Sequence, residues 1–171
     1  MANVSTAENA LTVEEGPDPR RWLTLGIIAI AQLMIVLDAS IVTIALPAIQ
    51  RDLQTSFATL QWVVNAYSLT LGGLLVAGGS AGDRYGRRRV FLAGTVLFTF
   101  ASISCALAPS TIILIIARLI QGGGAALMIP QSLAIIAASF PRDIRGVAIG
   151  HWASASAITT ALGPGIGGPD H

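Results

Sequence analysis

An all-α integral membrane protein is the fold class this sequence predicts, and three observations predict it. Of 171 residues, 53% are hydrophobic and only 11% are charged, for a mean hydropathy of +0.71, a balance too apolar for a water-soluble domain of this length. The apolar residues gather into five runs, each near the roughly 20 residues that a helix needs to cross about 30 Å of hydrocarbon. The runs lack the strict alternation of barrel strands, and a bilayer offers no water to orphan backbone groups, so helices are the economical solution.

Taken in order, residues 1–21 read as a polar, disordered tail. Glu8, Glu14, Glu15 and Asp18 precede Arg20 and Arg21, while Pro17 and Pro19 break any helix that would begin there. The basic start and cleavage site of a secretory signal are absent, so the first span is expected to stay uncleaved. That span, 22–46, is closed by Pro47, and a polar link over 50–59 leads into the second, 60–81. The third, 90–108, is stopped by Pro109. The fourth, 112–140, carries Pro130 as a kink, and the fifth, 147–168, runs into glycines and prolines before a truncated end at residues 169–171.

Between the second and third spans, Gly78–Val90 forms a tight turn carrying one acid and four arginines. With this turn, Arg20, Arg21, Arg84, Arg87, Arg88, Arg89, Arg142 and Arg145 fall on one side and only Arg51 on the other. Positive loops stay inside, which predicts a multi-pass protein of the cytoplasmic membrane with its amino terminus in the cytoplasm. Trp22, Trp62 and Tyr67 stand near span ends, where interfacial anchors belong, and for Trp62 and Tyr67 packing or direct contact with substrate are the other readings.

Two charges lie within the hydrocarbon region. Asp38 stands nine positions before Pro47 on an outward-running helix, and Arg118 seven after Thr111 on an inward-running one. At about 1.5 Å per residue, both sit roughly 10–14 Å below the outer surface. An unpaired charge at that depth costs at least about 2.5 kcal/mol, so the two are expected to face each other or share a wet cavity. Arg118 shares its helix face with Gln121, Gly122 and Ala125, a polar and small-residue stripe. Such a pair is either a structural ion pair or a titrating pair in a proton or substrate path.

Small residues four apart give the close approach that such a site needs: Gly78 and Gly82, Gly122 and Ala126, Gly146 and Gly150, Gly163 and Gly167. The same faces suit self-association. Several function classes are excluded. There is no lysine, hence no phosphate-binding P-loop, and no basic face for nucleic acid at a net charge of +1. Cys105 is alone and reads as a small buried hydrophobe, and His151 and His171 are too few and too far apart for a metal site. His151 reads as interfacial. Neither an enzyme nor a cofactor is expected.

Four stretches in order resemble the major facilitator superfamily, and within it the fourteen-span drug:proton antiporters. Gly79-Ser-Ala-Gly-Asp83-Arg84-Tyr85-Gly86-Arg87-Arg88-Arg89 resembles its loop motif, with Ala81 where leucine is usual. Leu37-Asp38 through Leu46-Pro47 resembles the first-span motif of the drug exporters, with Ser40 and Thr43 as departures, and Leu114 through Arg118, Gln121 and Gly122 to Ala126 the fourth-span motif. Gly163-Pro164-Gly165-Ile166-Gly167-Gly168 resembles the antiporter motif, with Thr159 where glycine is common. Residues 61–67, Gln-Trp-Val-Val-Asn-Ala-Tyr, resemble the start of the second span in that group.

The resemblance implies a partial amino-terminal half of a major facilitator fold. It gives Asp38 and Arg118 proton coupling and substrate response. Gly79, Asp83, Arg84, Gly86, Arg87 and Arg88 would form a conformational latch, and Gly163, Pro164, Gly167 and Gly168 would shape the helix that favours export. It implies export of drugs or other small amphipathic molecules, with the proton gradient as energy source and the bilayer, protons and substrate as partners. Five spans are fewer than two six-helix halves, so transport by this chain alone is expected to be incomplete. The alternative is a non-transporting membrane protein that pairs with another transporter copy.

Overall fold

The computed structural model describes residues 20–142 and 144–154. Among these residues the chain is helical apart from short links, with no strand. Four helices are long and apolar enough to cross a membrane: α1 Arg20–Asp52, α2 Phe57–Tyr85, α3 Arg87–Ala106 and α4 Thr111–Ser139. Residues 144–154 are helical as well. The expected tail up to residue 19, the fifth span beyond residue 154 and the end at 169–171 lie outside the described residues. So do Gly163, Pro164, Gly167 and Gly168.

Several boundaries differ from the sequence expectation, each for a local reason. Arg20 and Arg21 belong to the first turn of α1, not to a tail. Pro47 does not close α1, which runs on to Asp52. One proline removes a single N–H donor from a helix, and here Arg51 Nε donates to the Pro47 carbonyl at 3.3 Å, tying the turn beyond it. The link is therefore shorter than residues 50–59. Ser56 caps α2, its hydroxyl accepting the Thr59 N–H at 3.2 Å.

The turn anticipated over Gly78–Val90 condenses to one residue, Gly86. Its N–H donates to the Gly82 carbonyl at 3.0 Å and its carbonyl accepts the Val90 N–H at 3.1 Å, so it ends α2 and begins α3 at once. A backbone at φ 94° permits this reversal and favours glycine. α3 ends at Ala106, two residues short of Ala108, as the restriction that Pro109 imposes on its predecessor requires. Ser110 then caps α4, which continues through Pro130 to Ser139.

α4 is the axis of the bundle. Half of its most apolar window is buried, against 22–28% for the other three, and α2 and α3 pack along it while α1 touches it and α2 only lightly. The glycine faces are what allow this. A Cβ on Gly78 would collide with the Ala126 carbonyl, and one on Gly122 with the Tyr67 carbonyl, so α2 and α4 approach backbone to backbone. Gly94 and Gly124 do the same for α3 and α4. Gly82 makes room for the buried amide of Gln131, which donates to the Gly78 carbonyl at 2.8 Å. Gly146 and Gly150 have no neighbour within 4 Å among the described residues.

The apolar core joins Ile28 and Ile35 of α1, Phe91 and Phe98 of α3, and Met128 and Ile136 of α4. At the Gly86 end, Phe140 is buried under Trp22 in an edge-on contact at 5.4 Å between ring centroids, and Ala148 and Trp152 close over the same cluster.

Candidate functional site

Asp38 projects from α1 and Arg118 from α4, 80 residues apart in sequence, and they meet. Arg118 Nη1 donates to Asp38 Oδ2 at 2.5 Å. The depth argument expects this contact, and the geometry explains how the cost of burial is offset. Arg118 is 2% exposed, and a guanidinium so placed needs its protons satisfied. The same Nη1 donates to Gln121 Oε1 at 2.7 Å, Nε donates to the Val63 carbonyl at 3.3 Å, and the guanidinium lies 4.5 Å from the centroid of the Tyr67 ring.

Gln121 completes the arrangement. Its amide donates to Asp38 Oδ1 at 2.6 Å and to Ser102 Oγ at 2.7 Å, and its carbonyl also lies 3.6 Å from the Cys105 thiol. Asp38, Arg118 and Gln121 thus form a closed triangle in which both carboxylate oxygens are bonded. All four described spans contribute: α1 through Asp38, α2 through Val63 and Tyr67, α3 through Ser102 and Cys105, α4 through Arg118 and Gln121. The triangle is accessible on one side, since the Asp38 side chain keeps 15% exposure against 3% for Arg118.

Two sequence readings change here. Tyr67 is not an interfacial anchor like Trp22 and Trp62, which are about half exposed, but is 8% exposed with its ring against Arg118. A signal for this exists: Tyr67 is seven residues past Leu60, so the depth count that matched Asp38 to Arg118 also matches Tyr67. Cys105 is partly exposed and reaches into the network, rather than being an inert buried hydrophobe. Ser102 and Gln131 were not legible, because a lone polar residue in an apolar helix does not say which face it occupies. His151 is exposed. No group of three or more His, Cys, Asp or Glu residues suited to a metal occurs among the described residues.

The second group of expected residues sits at the Gly86 end. Asp83 Oδ1 is 3.4 Å from Arg87 Nη2, and Arg87 Nη1 donates to the Ala134 carbonyl at 3.2 Å. Arg87 therefore fastens the α2–α3 turn to the end of α4. Asp83 itself is largely exposed, and Arg84 stacks on Tyr85 at 5.7 Å. Gly79 packs near Pro130. Arg88 makes no ion pair with Asp83 and lines a hollow with Ile135 and Phe91.

Comparison with known proteins agrees with this architecture. Residues 28–168 match the model of the Major Facilitator Superfamily. A probable actinorhodin transporter of Streptomyces coelicolor is 40% identical over 94% of this chain and 30% of its own length. A puromycin resistance protein of Streptomyces alboniger is 45% identical over 90% of this chain and 31% of its own. A tetracenomycin C resistance and export protein of Streptomyces glaucescens is 40% identical over 93% and 30%. The chain thus spans about a third of the length of these relatives. It belongs to the Major Facilitator Superfamily, as a multi-pass membrane protein with the helical arrangement of part of that fold's amino-terminal half.

Proposed function

We propose that this member of the superfamily contributes the proton-responsive part of an exporter of drugs or other small amphipathic molecules, of the fourteen-span antiporter kind. The observation that carries the reading is the Asp38–Arg118–Gln121 triangle, which ties the lightly packed α1 to the central α4 at mid-depth. Protonating Asp38 would cancel the charge that holds Arg118 and leave a buried guanidinium in need of new partners. Apart from the shared apolar core, α1 packs on α4 far more lightly than α2 and α3 do, so that rearrangement meets modest resistance. A proton that binds two conformations with different affinity shifts their populations, which is the requirement for coupling. The gradient, and no bound cofactor, supplies the energy. The names of the relatives, as antibiotic transport, resistance and export proteins, support an amphipathic substrate class.

In this reading Asp83 belongs to a latch. An exposed ion pair such as Asp83–Arg87 contributes at most about 1 kcal/mol, so stability is a poor reason for an acid among four arginines. Asp83 is largely exposed, which leaves it open to a helix terminus of the fold's opposite half. Orientation follows from the arginines: eight gather at the Gly86 end and only Arg51 at the other, which puts the amino terminus in the cytoplasm. Self-association falls to faces where an added Cβ would meet nothing among the described residues, Gly72–Gly73 of α2 and Gly146–Gly150, because Gly78, Gly82, Gly94, Gly122 and Gly124 are occupied within the bundle.

The test is drug accumulation in cells, with Asp38→Asn introduced at the matching position of a full-length relative. Proton-driven efflux is expected to fall by at least about tenfold, equivalent to about 1.4 kcal/mol. Undiminished efflux would remove Asp38 from the coupling role.

A further inference from the structure

Two hollows adjoin at the Gly86 end, and neither takes part in the network around Asp38. The first is open, about 590 Å³, and is lined by Arg87, Arg88 and Arg89 at the start of α3 with Ile135 and Ser139 near the end of α4. The second, about 190 Å³, is bounded by Ile27 and Ile28 of α1 and Phe91 and Leu92 of α3, and is apolar apart from Thr24 and Arg88. Arg88 and Ile135 line both. A basic basin thus adjoins a short apolar groove, about one helical turn long.

Among the described residues the basin holds more positive charge than its one carboxylate balances. The first three residues of α3 are arginines, set where a helix already presents its positive end. No acid stands in that first turn, and Gly86 provides no side-chain cap. Asp83, the acid of the adjoining turn, is engaged with Arg87. Arg88 and Arg89 are exposed and make no side-chain hydrogen bond or ion pair among the described residues. Arg84 adds a further positive charge nearby.

We propose that the two hollows together bind one anionic phospholipid. The guanidinium groups of Arg88 and Arg89 donate to the phosphodiester oxygens above the first turn of α3, and the first methylenes of one acyl chain lie in the groove against Ile27, Phe91 and Leu92. Inorganic phosphate would satisfy the basin alone; the adjoining groove is what selects a lipid. The site shares no residue with the triangle, and of the residues expected in the latch it uses Arg88.

The experiment uses the whole chain purified in detergent and placed in nanodiscs of phosphatidylcholine with a minor fraction of phosphatidylglycerol, with retained lipid read by native mass spectrometry. Phosphatidylglycerol should be retained over phosphatidylcholine. Arg88→Gln with Arg89→Gln should weaken that preference by about fivefold per arginine. Arg142→Gln, at an exposed arginine of the same end, should leave it unchanged, and helicity by circular dichroism should be the same in all three proteins. Leu92→Ser should weaken retention without touching a charge. Millimolar inorganic phosphate should not displace the lipid. An unaltered preference in the double variant, an equal loss in Arg142→Gln, indifference to Leu92→Ser, or displacement by phosphate would each overturn the assignment.

Discussion

Gln121 spends its hydrogen-bonding capacity entirely inside the network, donating to Asp38 and Ser102 and accepting from Arg118 and the Cys105 thiol. Its removal should therefore be felt by both charges. Gln121→Leu keeps the side-chain bulk while leaving Asp38 Oδ1 and one Arg118 proton unsatisfied, which costs about 1–3 kcal/mol for each buried group. Thermal unfolding in detergent should show a lowered midpoint for Gln121→Leu and a smaller drop for Ser102→Ala, which removes one peripheral partner. An unchanged midpoint for Gln121→Leu would mean that the amide does not bridge the pair. At this scale the sequence was half legible. Charge at matched depth points to Asp38 and Arg118, but a neutral polar residue such as Ser102 carries no desolvation penalty large enough to announce its partner.

Among the elements, α4 owes its central place to small residues on opposite faces. Gly122 and Ala126 admit α2, and Gly124 admits α3. Because Gly78 meets backbone rather than a yielding side chain, Gly78→Val must push α2 away from α4 and open the contact that positions Tyr67 against Arg118. A destabilisation of about 1–3 kcal/mol is expected, read as a lower melting temperature together with greater solvent labelling of Cys105. Unaltered stability would show that the close approach is dispensable. The spacing of four made these faces visible in the sequence. Which neighbour each face meets was not visible, since Gly146 and Gly150 carry the same signature and have no partner among the described residues. The helix limits moved for equally local reasons: Pro47 is tolerated within α1, and one glycine suffices where a longer turn was expected.

Across the whole molecule, arginine placement makes a prediction of its own. A reporter active only outside the cytoplasm, such as alkaline phosphatase, should be active when fused after Gln54 and silent when fused after Gly86, whereas a cytoplasmic reporter should show the reverse. The opposite pattern would invert the orientation proposed from the eight arginines. It would also place the basic basin of α3 on the wrong leaflet for cytoplasmic anionic lipid.

By itself the sequence determined the solvent of this protein, its helical class, the depth of its two intramembrane charges and the faces on which helices could approach. These are one-dimensional properties, because hydropathy is additive along the chain and a helix converts residue number into depth at a fixed rise. Only the tertiary structure decided that Asp38, Arg118 and Gln121 close into one triangle, that Tyr67 lies under Arg118, and that α1 packs far more lightly on α4 than α2 and α3 do. Those facts depend on the rotation of each helix about its own axis and on which neighbour it meets. Packing against three other helices sets both, and no single segment encodes them.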